Sequence, residues 1–248
     1  MRNLLQKIVV IAIFLNVVLP LCSQTKVDAL KLYREKKYPE AIAACEAELA
    51  INPNNMDSYA VLCWSLVRNK QYAEAEQRAI EANKKSPYDV RILEILGEAK
   101  FYQGKNTGAM QYFQEYVANA AKGSDIGTAY YFMGEIYIKQ KKYQHADIAL
   151  SMAVRTEPLL DYWWMRLGYA RENAGSYESA LTAYNKALEL NPKYENALFN
   201  KGNTLRTLGR FEEAVSCYDE ILKFKRLLDM GAISQEEFDN MKVRLLVF

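Results

Sequence analysis

The sequence predicts an all-α protein built as a stack of about six helical hairpins, a solenoid rather than a single globule. Three observations predict it. Alanines recur at Ala41, Ala75, Ala109, Ala146, Ala180 and Ala214, at intervals of 34, 34, 37, 34 and 34 residues. A self-similar unit of that length cannot bury its apolar face alone and must stack on copies of itself. Gly97, Gly134, Gly168 and Gly202 stand twelve residues before the last four of those alanines. Small residues at fixed steps let two helices approach closely, and a bulky side chain there would overpack the contact at a cost of about 1–3 kcal/mol. Pro53, Pro87, Pro158 and Pro192 then fall just past each predicted second helix, where proline stops it.

The chain has 248 residues, half of them hydrophobic and a quarter charged, which suits a soluble globular protein. Residues 1–23 are set apart. Arg2 and Lys7 form a positive head, residues 8–19 are apolar except for Asn16, and Pro20 and Ser23 follow. That is the layout of a secretory signal peptide with cleavage after Ser23. The apolar run is shorter than the ~20 residues a spanning helix needs. Membrane association would require retention of this segment or lipidation of Cys22, whose preceding Leu21 is bulky for a bacterial lipobox. Removing Arg2 and Lys7 with the segment leaves 30 basic and 30 acidic residues, with no polybasic run to favour nucleic acid or an anionic membrane surface.

The repeats divide as residues 26–55, 56–89, 90–123, 127–160, 161–194 and 195–225. Tyr59, Leu62 and Tyr72 fill the gaps between helices of repeat two, Phe113 and Tyr116 those of repeat three, and Tyr130, Tyr137, Tyr143 and Leu150 those of repeat four. They recur at three- and four-residue spacings, giving each helix an apolar stripe. Repeat one is degenerate in its first helix, at Asp28 and Ala29. Repeat three lacks a terminal proline, so its second helix should run to Ala120 or Ala121 before a turn at residues 122–125. Repeat five is the clearest, with Trp164, Leu167, Gly168, Tyr177, Ala180, Tyr184, Ala187 and Pro192. On these residues the chain resembles the tetratricopeptide repeat (TPR) family over residues 26–225, which implies a right-handed α-solenoid and a non-enzymatic, protein-binding role.

Beyond the repeats, residues 220–248 resemble the short C-terminal domain abbreviated SHOCT. A long helix should end at Gly231 in a left-handed turn. Ser234 and Glu237 form a capping box, Ile233 and Phe238 a hydrophobic staple, and a second helix spans residues 235–246. This hairpin either covers the open end of the last repeat or mediates homo-oligomerisation, and Leu227, Phe238 and Leu245 suit both roles. The domain type, and the lack of any Asn-x-Ser/Thr sequon, point to a bacterial periplasm or envelope.

The family resemblance implies that the first helix of each repeat lines a groove for a protein or peptide. The positions transferred from it are Trp64 and Arg68 in repeat two, Arg91 and Tyr102 in three, Tyr131 and Phe132 in four, Tyr162, Arg166 and Tyr169 in five, and Phe199, Asn200 and Asn203 in six, with Asn173 and Arg206 at related offsets. Aromatics and arginine anchor interfaces because they bury large area with few rotors. About half of the aromatics are expected to pack against the neighbouring repeat instead. The carboxylate clamp that some relatives use is not matched: Arg166, Asn200 and Asn203 form an incomplete set with no repeat after them.

Little in the sequence carries chemistry. His145 is the only histidine and reads as a solvated residue of a second helix. There is no Gly-rich phosphate loop and no GxSxG. Cys45, Cys63 and Cys217, an odd number without CxxC spacing, read as reduced core residues, with a Cys45–Cys63 bridge the alternative. No cofactor, metal or small-molecule substrate is expected.

Overall fold

The computed structural model describes residues 28–120 and 126–229, with side chains to residue 223. The leader at residues 1–23, the turn at 122–125 and the C-terminal hairpin beyond residue 229 lie outside the described residues. All twelve regular elements among those described are helices. In chain order they are α1 (Ala29–Arg34), α2 (Tyr38–Ile51), α3 (Met56–Arg68), α4 (Tyr72–Lys85), α5 (Val90–Tyr102), α6 (Asn106–Asn119), α7 (Gly127–Lys139), α8 (Tyr143–Thr156), α9 (Asp161–Asn173), α10 (Tyr177–Leu190), α11 (Glu195–Thr207) and α12 (Phe211–Asp229). They fall into two compact bodies divided after Gln71, within the second repeat.

The first body holds α1, α2 and α3. Asp28, a departure from the repeat pattern in the sequence, is the N-cap of α1: its carboxylate accepts from the Lys31 backbone N–H at 3.0 Å. Asn55 caps α3 in the same way, accepting from Asp57 and Ser58 N–H at 3.1 and 3.3 Å. Leu62, Leu66, Cys45 and Cys63 are fully buried between the helices. Ser58 Oγ donates to Glu48 Oε2 at 2.5 Å, tying α3 to α2.

The second body runs from α4 to α12. Its first helices, α5, α7, α9 and α11, are each 13 residues long, and its second helices α4, α6, α8 and α10 are each 14. The glycine–alanine arithmetic has a direct physical counterpart. A Cβ placed on Gly97 would lie 2.5 Å from the Phe113 ring, on Gly134 2.6 Å from Leu150, and on Gly202 2.7 Å from Tyr218; Gly168 faces Tyr184 in the same way. Each large side chain is sixteen residues after its glycine. Ala75, Ala109, Ala146 and Ala180 are 0% exposed and Ala214 is 2% exposed. Helix α6 ends at Asn119 with Ala120 as its C-cap, the same 14-residue length as α4, α8 and α10, so it does not run on as expected from the missing proline of repeat three. Helix α12 runs 19 residues, Phe211–Asp229, so the last repeat and the start of the C-terminal segment share one helix.

Each first helix of the second body closes through a left-handed residue: Gly104, Lys141, Gly175 and Gly209 have φ of 75°, 58°, 81° and 75°. After α5 the closing bonds run from Lys105 N to Lys100 O and from Gly104 N to Phe101 O, both 2.9 Å. These satisfy carbonyls that the helix end would otherwise leave open.

Candidate functional site

The candidate surface is the row of first helices in the second body, where α5 adjoins α7 and α9 adjoins α11. Its two halves differ. From α5 to α9 the aromatic side chains are engaged with one another. Phe101 lies 4.8 Å from Phe132, which stacks on Phe113 at 5.3 Å and 6°, and Tyr102 stacks on Tyr72 at 4.8 Å. Tyr131 stacks on Trp163 at 5.4 Å and 4°, and its Oη donates to Tyr162 Oη at 2.8 Å. Such pairs contribute beyond their buried area, by about 0.5–1.5 kcal/mol each.

An ion pair closes this half. Arg166 of α9 donates from Nε and Nη2 to the two carboxylate oxygens of Glu135 on α7, at 2.6 and 2.8 Å. Burial works against the Arg166 charge, but the hydrogen bonds and charge of Glu135 outweigh it, and the guanidinium pKa is raised. Burial, with the Glu135 charge beside it, pushes the Tyr131 phenol well above its ordinary range. Lys139 sits 3.8 Å from the Phe101 ring centre, and desolvation lowers its pKa.

From α9 to α11 the surface opens. Phe199 is 52% exposed, and its ring meets only that of Tyr218, at 6.3 Å, among the described aromatic contacts. Asn203 Oδ1 accepts from Tyr218 Oη at 2.9 Å, while its amide NH2 makes no hydrogen bond among the described residues. Asn200 Nδ2 approaches Met165 Sδ at 3.9 Å. Arg206 is exposed and makes no ion pair among the described residues. Asn173 Nδ2 donates to the Tyr169 carbonyl at 2.9 Å, and the Arg166 guanidinium carbon lies 5.1 Å from the Tyr169 ring.

The twelve expected groove residues therefore separate. Tyr131 and Phe132, 6% and 3% exposed, belong to the core, because both sides of their rings are packed by aromatic neighbours; this corrects their placement in the groove. Arg166 is spent on Glu135, and Arg91 on its own N-cap Asp89 at 2.7 Å, so neither offers a free charge. Tyr102 and Tyr162 are half-buried in the aromatic set. Trp64, 6.0 Å from Tyr33, and the exposed Arg68 belong to the first body. Tyr169 on α9 and Phe199, Asn200 and Asn203 on α11 are the expected residues that remain at least partly exposed and are not engaged by a ring or charge of the aromatic set.

Sequence reasoning missed the charged links between repeats. Glu76 of α4 is 8% exposed and accepts from Lys100 Nζ and Lys105 Nζ at 2.6 Å each and from Gln103 Nε2 at 2.8 Å. Burial raises its pKa, but these donors overcome that and hold the carboxyl at about 2. Asp147 of α8 accepts from Arg171 of α9 at 2.8 Å with the same 24-residue separation as Glu76 and Lys100. The available signal was a carboxylate at the repeat position where Leu181 is buried.

His145 is exposed, 5.3 Å from the Tyr137 ring. Cys45, Cys63 and Cys217 are buried and form no disulfide with one another, and burial pushes the Cys45 thiol up to about 12. Among the described residues no group of three His, Cys, Asp or Glu is placed to hold a metal, and no helix is long and apolar enough to cross a membrane.

Parts of this chain are similar to known proteins. Family profiles described as tetratricopeptide repeat match residues 62–125, and 127–158 with 195–226; one described as TPR repeat matches 168–207. An uncharacterised protein of Methanocaldococcus jannaschii is 48% identical over 56 residues, 23% of this chain and 65% of that protein. Human superkiller complex protein 3 is 32% identical over 109 residues, 44% of this chain, but the match spans only 7% of that protein's length. Among solved structures, YrrB, titled a TPR protein with an unusual peptide-binding site, superposes with a TM-score of 0.64 at 17% identity, covering 73% of this chain and 91% of its own. MamA from Desulfovibrio magneticus gives 0.64 at 20% identity, covering 70% and 97%. With the profiles tiling most of residues 62–226 and the hairpins repeating in the structure, the chain belongs to the tetratricopeptide repeat proteins.

Proposed function

We propose that this chain is an exported, non-enzymatic adaptor that holds a peptide or protein segment on the α9–α11 part of its first-helix face. The observation that carries the reading is the exposed face of α11, with Phe199, Asn203 and Arg206 along one side of the helix that adjoins α9. An exposed ring offers apolar area, the amide groups offer donors and acceptors suited to an extended backbone, and the guanidinium favours an acidic side chain. The likeness to a solved TPR protein with a peptide-binding site supports the class of ligand. Export rests on the amino-terminal pattern of residues 1–23, and is checked by sequencing the amino terminus of protein expressed in a bacterium: a start at Gln24 supports it and an intact Met1 opposes it.

The test of binding is selection of a displayed random-peptide library on the purified chain. Enriched peptides that bind the parent protein and lose at least tenfold in affinity against Phe199→Ala combined with Asn203→Ala, with helical content and melting unchanged, support the reading. Peptides that bind both proteins equally place the site elsewhere.

A further inference from the structure

The turn between α7 and α8 carries three exposed lysines, Lys139, Lys141 and Lys142, with only Gln140 among them. None makes an ion pair among the described residues. The carboxylates one turn away are already taken, Glu135 by Arg166 and Asp147 by Arg171. No acidic residue stands in the first turn of α8.

The same turn in other repeats is compensated from within the chain. Lys105, which precedes α6 as Lys142 precedes α8, lies 2.6 Å from Glu76 of the second helix behind it. At the Glu76 position of the next second helix stands Met110, partly buried against the core, so Lys142 lacks that counter-charge. Arg210, which precedes α12, is held by Glu213 at 2.6 Å, and Ser176 before α10 is uncharged. In repeat one, Lys37 pairs with Glu35 at 2.8 Å; in repeat four Gln140 replaces that carboxylate with an amide. Lys141 also keeps a side chain at φ 58°, where the turns after α5, α9 and α11 use glycine, so the cluster is held against a backbone cost as well. Neighbouring like charges repel, and the repulsion falls when an anion is supplied from outside.

We infer that the α7–α8 turn docks a short acidic segment of a protein partner, whose adjacent carboxylates supply the charge that Glu76 supplies one repeat earlier. The extent of the patch sets the class of partner. On one side Lys105 is neutralised, and on the other Glu172 and Glu178 flank the α9–α10 turn, so the excess positive charge is confined to one repeat. A nucleic acid draws its affinity from many phosphates along an extended track, and an anionic bilayer likewise presents charge over a wide surface. Two or three neighbouring carboxylates match three ammonium groups on a single turn. This inference does not depend on the peptide-binding reading, which concerns other residues, on α9 and α11.

The test follows the fluorescence anisotropy of a labelled peptide carrying a tri-aspartate run, added to the full chain at low ionic strength. Lys141→Gly combined with Lys142→Ser installs the residues that repeat five carries there, Gly175 and Ser176, and should weaken binding at least tenfold. Lys84→Ser combined with Arg155→Ser removes two exposed cations elsewhere and should leave the affinity unchanged. Met110→Glu, which offers Lys142 the carboxylate that Glu76 gives Lys105, should also weaken binding. If Met110→Glu fails to fold, the two double variants decide alone. Peptide binding that is absent, or that responds equally in the two double variants, overturns the inference, as does parent affinity in a folded Met110→Glu. Tighter, lysine-dependent binding to phosphatidylglycerol vesicles or to single-stranded oligothymidylate would give the turn to a membrane or a nucleic acid and overturn it too.

Discussion

The α5–α9 stretch and the α9–α11 stretch present the first-helix face of successive repeats, yet one is closed and the other open. In the first, Phe132, Phe113, Tyr131 and Trp163 stack in pairs and Glu135 holds Arg166, so the residue types that anchor interfaces serve contacts within the chain. In the second, Phe199 is 52% exposed and its ring meets only that of Tyr218 among the described residues. Residue type does not separate the two, since a phenylalanine occupies the groove helix in each. What separates them is whether a neighbouring repeat supplies a ring or a charge to meet the side chain.

The sharpest way to break this contrast is to truncate one phenylalanine in each stretch. Phe132→Ala leaves a cavity among Phe101, Phe113 and Tyr131 and should cost about 3–5 kcal/mol in urea unfolding. Phe199→Ala, on an exposed ring, should change stability by less than about 0.5 kcal/mol. Equal losses would remove the distinction between closed and open stretches.

The ion pair is the next test. Glu135→Ala leaves the Arg166 guanidinium, 20% exposed, without its bidentate partner and should destabilise by about 2–3 kcal/mol, below the range for a fully buried pair. Replacing Glu135 and Arg166 together by Met should recover most of that loss, because neither charge is then stranded. A double variant as unstable as the single one would show that the pair shapes the α7–α9 contact in some other way.

These contrasts mark how far the sequence could be read. The hairpin stack was legible because Gly97, Gly134, Gly168 and Gly202 each face a large side chain sixteen residues on, and such steric requirements leave a fixed spacing. The prolines and the alanine positions were legible for the same reason. Tyr131 and Phe132 were not, because their burial depends on Trp163 and Phe113, partners that lie in other helices and differ between repeats. The Glu76 and Asp147 links were hidden for a related reason: each needs a basic residue 24 positions away, and no single helix reveals that pairing. Asp28 looked like a defect in the repeat and is a cap, a role set by backbone geometry rather than by the repeat pattern.

The Glu76 link, from α4 to the end of α5, makes the second body acid-sensitive. Its folded pKa, about 2, lies below the ordinary carboxylate value. The stabilisation is therefore complete above the unfolded pKa and is lost as pH falls through the window from about 4.5 to about 2. Its size is about 3 kcal/mol at most. Glu76→Gln should flatten unfolding free energy against pH in that window, measured by urea melts at pH 5, 4 and 3. A parent-like pH profile in the variant would assign the sensitivity to other carboxylates.

The smallest expected effect lies in the turns that close the first helices. The left-handed residue is Lys141 after α7, but Gly104, Gly175 and Gly209 after α5, α9 and α11. An L-residue with a side chain is disfavoured at φ of 58°, whereas glycine takes such values without steric cost. Lys141→Gly should therefore stabilise the protein by up to about 1 kcal/mol, offset in part by the greater freedom glycine has in the unfolded chain. Gly175→Ala should destabilise by about 1 kcal/mol, although a Cβ there meets nothing within 4 Å, so the loss would come from the backbone alone. Opposite signs for the two substitutions, read from thermal melts, would show that both turns share one backbone requirement whatever the packing above them. A loss of stability on Lys141→Gly would show instead that the closed stretch depends on the lysine side chain.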